Sequence, residues 1–233
     1  MVIEALIGNN FIEELYLSGN SSTDYAVESL IKLLTYSDSR LKCLGFGENS
    51  LSSAGIARLA PILASHLILS QVQLHDNPMS DEGVNVLFRE IRDTHVIKSL
   101  NIRNTGIRES TWGPRLSLLS SLATLNISFN DIDDNGFVLI CDGLQMAFSL
   151  RHLNIAHNKF GGKICKCISK VLSENKSLFT LDMSGNYFHH EVLSAIATGL
   201  YENYTLMELS LMRCNVPDTG YYYIPDSFLL YNF

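Results

Sequence analysis

No run of five or more Lys or Arg occurs in these 233 residues, and 24 acidic side chains outnumber 17 basic ones. A phosphate backbone or an anionic membrane therefore has no electrostatic handle here, and neither nucleic acid nor membrane insertion is expected. Nowhere do 18 apolar residues run together, which excludes a helix crossing a bilayer. The opening MVIEALIGNN lacks a positive leader and Glu4 interrupts its apolar run, so a secretory signal is not expected either. Cysteines are few and odd in number: Cys43, Cys141, Cys165, Cys167 and Cys214. They show no zinc-site spacing and fit reduced thiols in a cytoplasmic compartment. Four Asn-x-Ser/Thr triplets, at Asn20, Asn126, Asn175 and Asn203, point weakly the other way and are set aside, since Asn20 serves the structural pattern below.

Catalytic signatures are missing as well. There is no G-x-S-x-G, no G-x-x-x-x-G-K-[ST] and no H-E-x-x-H. Cys165 and Cys167 stand two apart in a helical stretch and face different directions, Cys165 inward and Cys167 outward, so they do not jointly bind a metal. The His189-His190 pair has neither the i, i+4 relation nor a Cys/His zinc spacing. No enzyme activity, metal or cofactor is expected.

What the chain does contain is a repeat. Ile12, Leu41, Leu69, Ile97, Leu122, Leu150, Leu178 and Leu206 each open a row, at intervals of 28 residues broken once by 29 and once by 25. The fourth and sixth places are apolar in every row, from Leu15 and Leu17 to Leu209 and Leu211. The ninth place reads Asn20, Asn49, Asn77, Thr105, Asn130, Asn158, Asn186 and Cys214. Together these make the L-x-x-L-x-L-x-x-N/C pattern eight times in register. After a glycine, stretches such as GIARLAPIL, GVNVLFREI and GFVLICDGL carry apolar residues at helical spacing; Gly55, Gly83, Gly136 and Gly220 stand fourteen places after their row's first apolar residue.

The rows resemble leucine-rich repeats of the ribonuclease-inhibitor subtype, over essentially the whole chain. That resemblance implies an α/β solenoid, a horseshoe with parallel strands on the concave face and helices on the convex face. One domain spans 1–233: a remnant of a preceding repeat helix at 1–11, seven repeats over 12–205, and an eighth with an aromatic cap at 206–233. No row can bury its own apolar faces, so neighbours must stack. Each fully buried Leu or Ile contributes about 1.5 to 3 kcal/mol. The ninth-place amides are expected to satisfy inward-pointing peptide groups where the chain leaves each strand.

Three places depart from the pattern. Row four is three residues short and carries Gly113 and Pro114 where a helix should run, so a short helix or an irregular loop is expected. Trp112 beside it either fills the space of the missing turn, which we favour, or stands exposed as an anchor. Row one begins without a polar cap, so lost upstream repeats or a neighbouring chain would cover it. In GYYYIPDSFLLYNF, the residues Phe228, Leu229, Leu230 and Phe233 are expected to fold back as a cap, the alternative being that the tail docks into a partner.

Residues between the ladder leucines should line the concave face. Its centre is polar, and its charge changes sign from Glu13, Glu14, Glu48 and Asp76 to Lys98, Arg103, Arg151 and Arg213, interspersed with Asp182 and Glu208. Candidate partner-binding residues are Tyr16, His75, Arg103, Phe129, Arg151, His157, Phe179, Asp182, Met212 and Arg213. The expected function is a non-catalytic protein-binding scaffold. The resemblance also allows a structural component of a cytoskeletal or ciliary assembly, since tropomodulin and ciliary regulatory complexes hold similar repeats. A GTPase-activating role, as in the Ran GTPase-activating protein, ranks lower because the tail here is aromatic where that family's is acidic. Similar repeats form the sensing arm of NOD-like receptors, although no nucleotide-binding domain precedes them in this sequence.

Overall fold

The computed structural model describes residues 2–215. Gly220 and the aromatic segment expected to cap the eighth row lie outside the described residues. Eight strands of three residues each form one parallel sheet, ordered as they occur in the chain: β1 (Glu14–Tyr16), β2 (Cys43–Gly45), β3 (Gln71–Gln73), β4 (Ser99–Asn101), β5 (Thr124–Asn126), β6 (His152–Asn154), β7 (Thr180–Asp182) and β8 (Glu208–Ser210). Register never slips: Leu15 pairs with Leu44, Leu44 with Val72, and so on to Leu181 with Leu209. A one-residue slip would turn each ladder leucine outward, so burial of that one side chain fixes the pairing. Most of these are fully buried; Leu15 and Leu209, with a described neighbour on one side, keep 9% of their surface.

Helices α1 (Val2–Ala5), α2 (Tyr25–Leu34), α3 (Ser53–Ser65), α4 (Ser80–Glu90), α5 (Asp134–Leu144), α6 (Cys165–Glu174) and α7 (His190–Tyr201) form the second layer. Their inward faces, such as Ile56, Leu59 and Leu63 of α3, close one continuous core with the strand leucines. Ser52 caps α3 through Ala54 N and Gly55 N, and Asp133 caps α5 through Gly136 N at 2.9 Å. Acidic residues at helix starts also hold the next row's loop. Asp81 accepts from the backbone of Arg108, Glu109 and Ser110, and Asp134 from Gly161, Gly162 and Lys163.

Row four replaces its helix with a 3₁₀ segment, Gly113–Leu118. The shorter row draws backbones together. A Cβ at Gly113 would lie 2.6 Å from the Leu139 carbonyl, and one at Gly143 would meet the Gly113 carbonyl oxygen. Trp112 is fully buried and stacks on Phe88 at 4.3 Å, filling the space of the missing turn. It is therefore no exposed anchor.

The ninth-place amides bridge rows. Asn49 Nδ2 donates to Leu17 O, Asn77 to Phe46 O, Asn130 to Ile102 O, Asn158 to Ile127 O and Asn186 to Ile155 O, each also bonding its own row. Cys214 reaches Met183 O with its thiol at 3.3 Å. The Thr105 hydroxyl donates to Ile102 O within its own row and the Asn20 side chain to Leu17 O and Ser18 O, so among the described residues neither side chain bridges to a preceding row.

Candidate functional site

At the eighth place of every row, one residue past the turn out of the strand, the backbone is left-handed. Gly19 and Gly185 meet this with φ of +73° and +69°, while Glu48, Asp76, Asn104, Phe129, His157 and Arg213 hold it at +50° to +56°. A Cβ in this region costs roughly 1 to 2 kcal/mol, which is why glycine and Asn/Asp are the undemanding choices. His157 belongs to the side chains enriched in this conformation, whereas the bulky Phe129 does not. Their rings stack at 4.2 Å and Arg103 lies over the Phe129 face at 4.4 Å, yet Phe129 remains 45% exposed. An aromatic residue thus occupies a costly backbone conformation while much of it faces solvent.

Arg103 is fixed from the other side by Asp76, whose carboxylate accepts from Arg103 Nη1 at 2.8 Å and from Asn104 Nδ2 at 2.7 Å and pairs with His75 Nδ1 at 2.8 Å. Burial pushes the Asp76 pKa up, but these hydrogen bonds and the Arg103 charge outweigh it and hold the carboxyl below its ordinary range. Glu48 completes a group with His75 and Asp76 whose ligand-type atoms lie within 4.8 Å of one another. Asp76 spends its oxygens on Arg103 and Asn104, so the group reads as an ion-pair network and not as a cation cage.

A second cluster lies at the opposite ends of the strands. Arg151 sits 5.2 Å over the Phe179 ring, with His152 edge-on at 6.5 Å. Its guanidinium donates to the carbonyls of Phe148 and Ser177, so among the described residues its charge meets dipoles and no carboxylate. Phe148, Tyr204 and Met207 stand exposed alongside.

Between the clusters runs a line of amides. Asn101, Asn126 and Asn154 occupy one register position on β4, β5 and β6, followed by Asp182 on β7. Each side-chain oxygen accepts from the backbone N–H two residues on, at Arg103, Ser128, Ala156 and Ser184, over 3.0 to 3.1 Å. An N–H cannot bond an NH₂ group, so the three amides are locked with nitrogen outward. Those nitrogens meet no acceptor among the described residues.

The candidate residues divide accordingly. His75, Arg103, Phe129 and His157 come together, as do Arg151 and Phe179; Asp182 ends the amide line. Tyr16 stands apart on row one, lying over Gly45 with its hydroxyl 3.0 Å from Glu14. Met212 and Arg213 are exposed on row eight and join neither cluster. Near row four, a cleft of about 520 Å³ is lined by Arg108, Asp131, Asp133 and Lys159. Both of its cations converge on one carboxylate, Lys159 lying 2.7 Å and Arg108 3.6 Å from Asp131.

One cysteine expectation is corrected. Cys165 and Cys167 both pack part-buried against the core, and the Cys167 thiol, beside the buried Cys141 of the preceding helix, donates to Ile164 O at 3.1 Å, so it does not face outward. Sequence reasoning also missed a second set of structural amides, three places before the first apolar residue of a row. Asn9, Asn175 and Asn203 each accept there from two backbone N–H groups, and His66 fills the same role through Nδ1. The recurrence of Asn at that offset was the available signal. The outward amides of β4 to β6 were visible as polar residues, but their orientation was not.

The family described as Leucine Rich repeat matches residues 119–141 and 147–169. Over 181 residues the chain is 27% identical to NACHT, LRR and PYD domains-containing protein 3 of Bos taurus, a match covering 76% of this chain and 18% of that protein. It is 28% identical over 170 residues to NACHT, LRR and PYD domains-containing protein 5 of Homo sapiens, covering 71% and 14%. The chain thus spans less than a fifth of these curated relatives. Among solved structures, internalin C2 of Listeria monocytogenes aligns with a TM-score of 0.55 at 18% identity, over 86% of this chain and 81% of that one; this likeness concerns the fold alone.

Proposed function

We propose that this leucine-rich repeat solenoid is a non-catalytic protein-binding scaffold that grips its partner with the concave sheet. Phe129 carries the reading. A bulky ring held at φ +56° and 45% exposed costs folding energy, and contact with another surface is what would return it. The Asp76 carboxylate near it agrees with a binding role, since hydrogen bonds and the Arg103 charge hold it below its ordinary range and occupy its oxygens. We assign the repeats to the ribonuclease-inhibitor subtype, on their 28-residue period and the α-helical second half of most rows, and the protein to a reducing, cytoplasmic setting.

The test is site-specific photocrosslinking. A photoreactive phenylalanine at Thr124 or Thr180, on the concave strands, should capture partner protein from a lysate. The same group at Lys166 or Lys170, on the exposed face of α6, should not. Capture from α6 alone would move the binding surface to the convex side and end this reading.

A further inference from the structure

We infer that the concave centre receives the acidic face of a helix, lying along the arc across the strands, with a basic residue one turn beyond its carboxylates. This rests on the concave-face reading above and names the partner's chemistry. The amides of Asn101, Asn126 and Asn154 are locked nitrogen-outward by the backbone bonds to Arg103, Ser128 and Ala156, so three adjacent rows present donors alone. Gln73 continues the line on β3, its side-chain amide without a hydrogen bond among the described residues.

Spacing decides the form of the partner. Parallel strands lie about 4.8 Å apart, so the donors repeat at that interval. Same-side groups of an extended chain recur every 6.4 to 6.8 Å or so, whereas one helical turn rises about 5.4 Å. A helix carrying carboxylates at i, i+4 and i+7 therefore stays in step over three rows, and an extended peptide does not. Charge agrees. Lys98, exposed on row four, has no carboxylate partner among the described residues, and Arg151 on row six bonds only carbonyls, so two uncompensated cations flank the donor line. At row seven the sign reverses. Asp182 makes the same backbone bond, to Ser184 N at 3.0 Å, but turns a carboxylate oxygen outward in place of NH₂, with Glu208 exposed on the next row. Those acids repel a fourth carboxylate and select a Lys or Arg at i+11.

Asp182 also supplies the control. Because Asp keeps the acceptor that the backbone needs, Asn101→Asp, Asn126→Asp and Asn154→Asp reverse only the outward group. The probe is a fluorescein-labelled, alanine- and glutamine-based helical peptide of about 20 residues with Glu at i, i+4 and i+7 and Lys at i+11, read by fluorescence anisotropy. It should bind about tenfold or more tightly than the peptide with those charges exchanged, and also than a proline-interrupted peptide of the same charges. The triple Asn→Asp variant, with its melting midpoint recorded, should lose that preference. Asp182→Asn should abolish the advantage of Lys at i+11. Equal or tighter binding of the charge-exchanged or extended peptide, an unchanged preference in the triple variant, an indifferent Asp182→Asn, or no binding by any peptide overturns the inference. Concave photocrosslinking in the same preparation separates the two ideas: capture from Thr124 with an indifferent acidic peptide removes the acidic helix and keeps the scaffold.

Discussion

The Phe129 ring stacks on His157 at 4.2 Å with 24° between their planes, and both residues hold the left-handed backbone that Gly19 and Gly185 occupy in other rows. His157 in turn covers Gly185, whose missing Cβ leaves room for the imidazole. A surface feature thus runs over three rows and is built on one recurring backbone position.

Phe129→Gly removes a strained residue and a ring together. Relief of about 1 to 2 kcal/mol offsets the lost stacking and cation–π contacts, each about 0.5 to 1.5 kcal/mol. The melting midpoint should stay within a few degrees while partner capture at the concave face falls. A stability loss above about 2 kcal/mol would show that the ring serves packing and not binding.

Asn130→Ala should cost about 1 to 3 kcal/mol, because Thr105 N, Ile107 N and the carbonyls of Ile102 and Ile127 lose a buried partner. Thr105→Asn should act the other way by adding the cross-row bond that row four lacks. Denaturant midpoints of both variants check the amide ladder, and no change in Asn130→Ala would contradict it.

Gly143→Ala puts a methyl group against the Gly113 carbonyl oxygen. Backbone cannot swing aside as a side chain can, so a destabilisation of about 1 to 3 kcal/mol is expected despite alanine's better helix propensity. Thermal unfolding that is unchanged or improved would refute this close approach.

His66 is buried, and burial pushes its pKa down. Its Nδ1 accepts from Leu69 N at 3.0 Å, which requires the unprotonated nitrogen. With the folded pKa depressed, the contribution to stability is fully present above the ordinary imidazole value of about 6.5 and is lost as pH falls from there through the folded value. His66→Asn, copying Asn175 and Asn203, should flatten that part of the profile. Identical acid sensitivity of the two proteins would dismiss the assignment.

Asp76 titrates lower on the scale. Its pairing with Arg103 stabilises the fold above the usual carboxylate range of about 3.9 and fades as pH falls through its depressed value. Asp76→Asn should therefore reduce the wild-type loss of stability below about pH 4, measured by denaturant titration at stepped pH.

How much could be read in advance follows from how local each signal was. The leucine spacing implied stacking, because three residues of strand have no other way to hide a Leu such as Leu125. Row four's shortage, with Gly113 and Pro114, announced its broken helix. The direction of Cys167 was misjudged because a part-buried helix face is set by its neighbour Cys141, which lies in the preceding row. His66 gave no sign of doing an asparagine's work, since an imidazole and an amide resemble each other only once Nδ1 faces two N–H groups.

The sequence alone determined the repeat, its register and the buried spine, because those depend on a period that any neighbouring row must match. Tertiary structure alone decided which atoms the inner curve offers: whether an Asn turns oxygen or nitrogen outward, whether Arg103 is neutralised by Asp76 while Arg151 is not, and which rings meet. The amide orientation turns on backbone angles that bring an N–H two residues on to the side-chain oxygen, while the ion pairs and carbonyl contacts depend on partners some 25 to 30 residues away along the chain, where side chains from adjacent rows come within hydrogen-bonding distance.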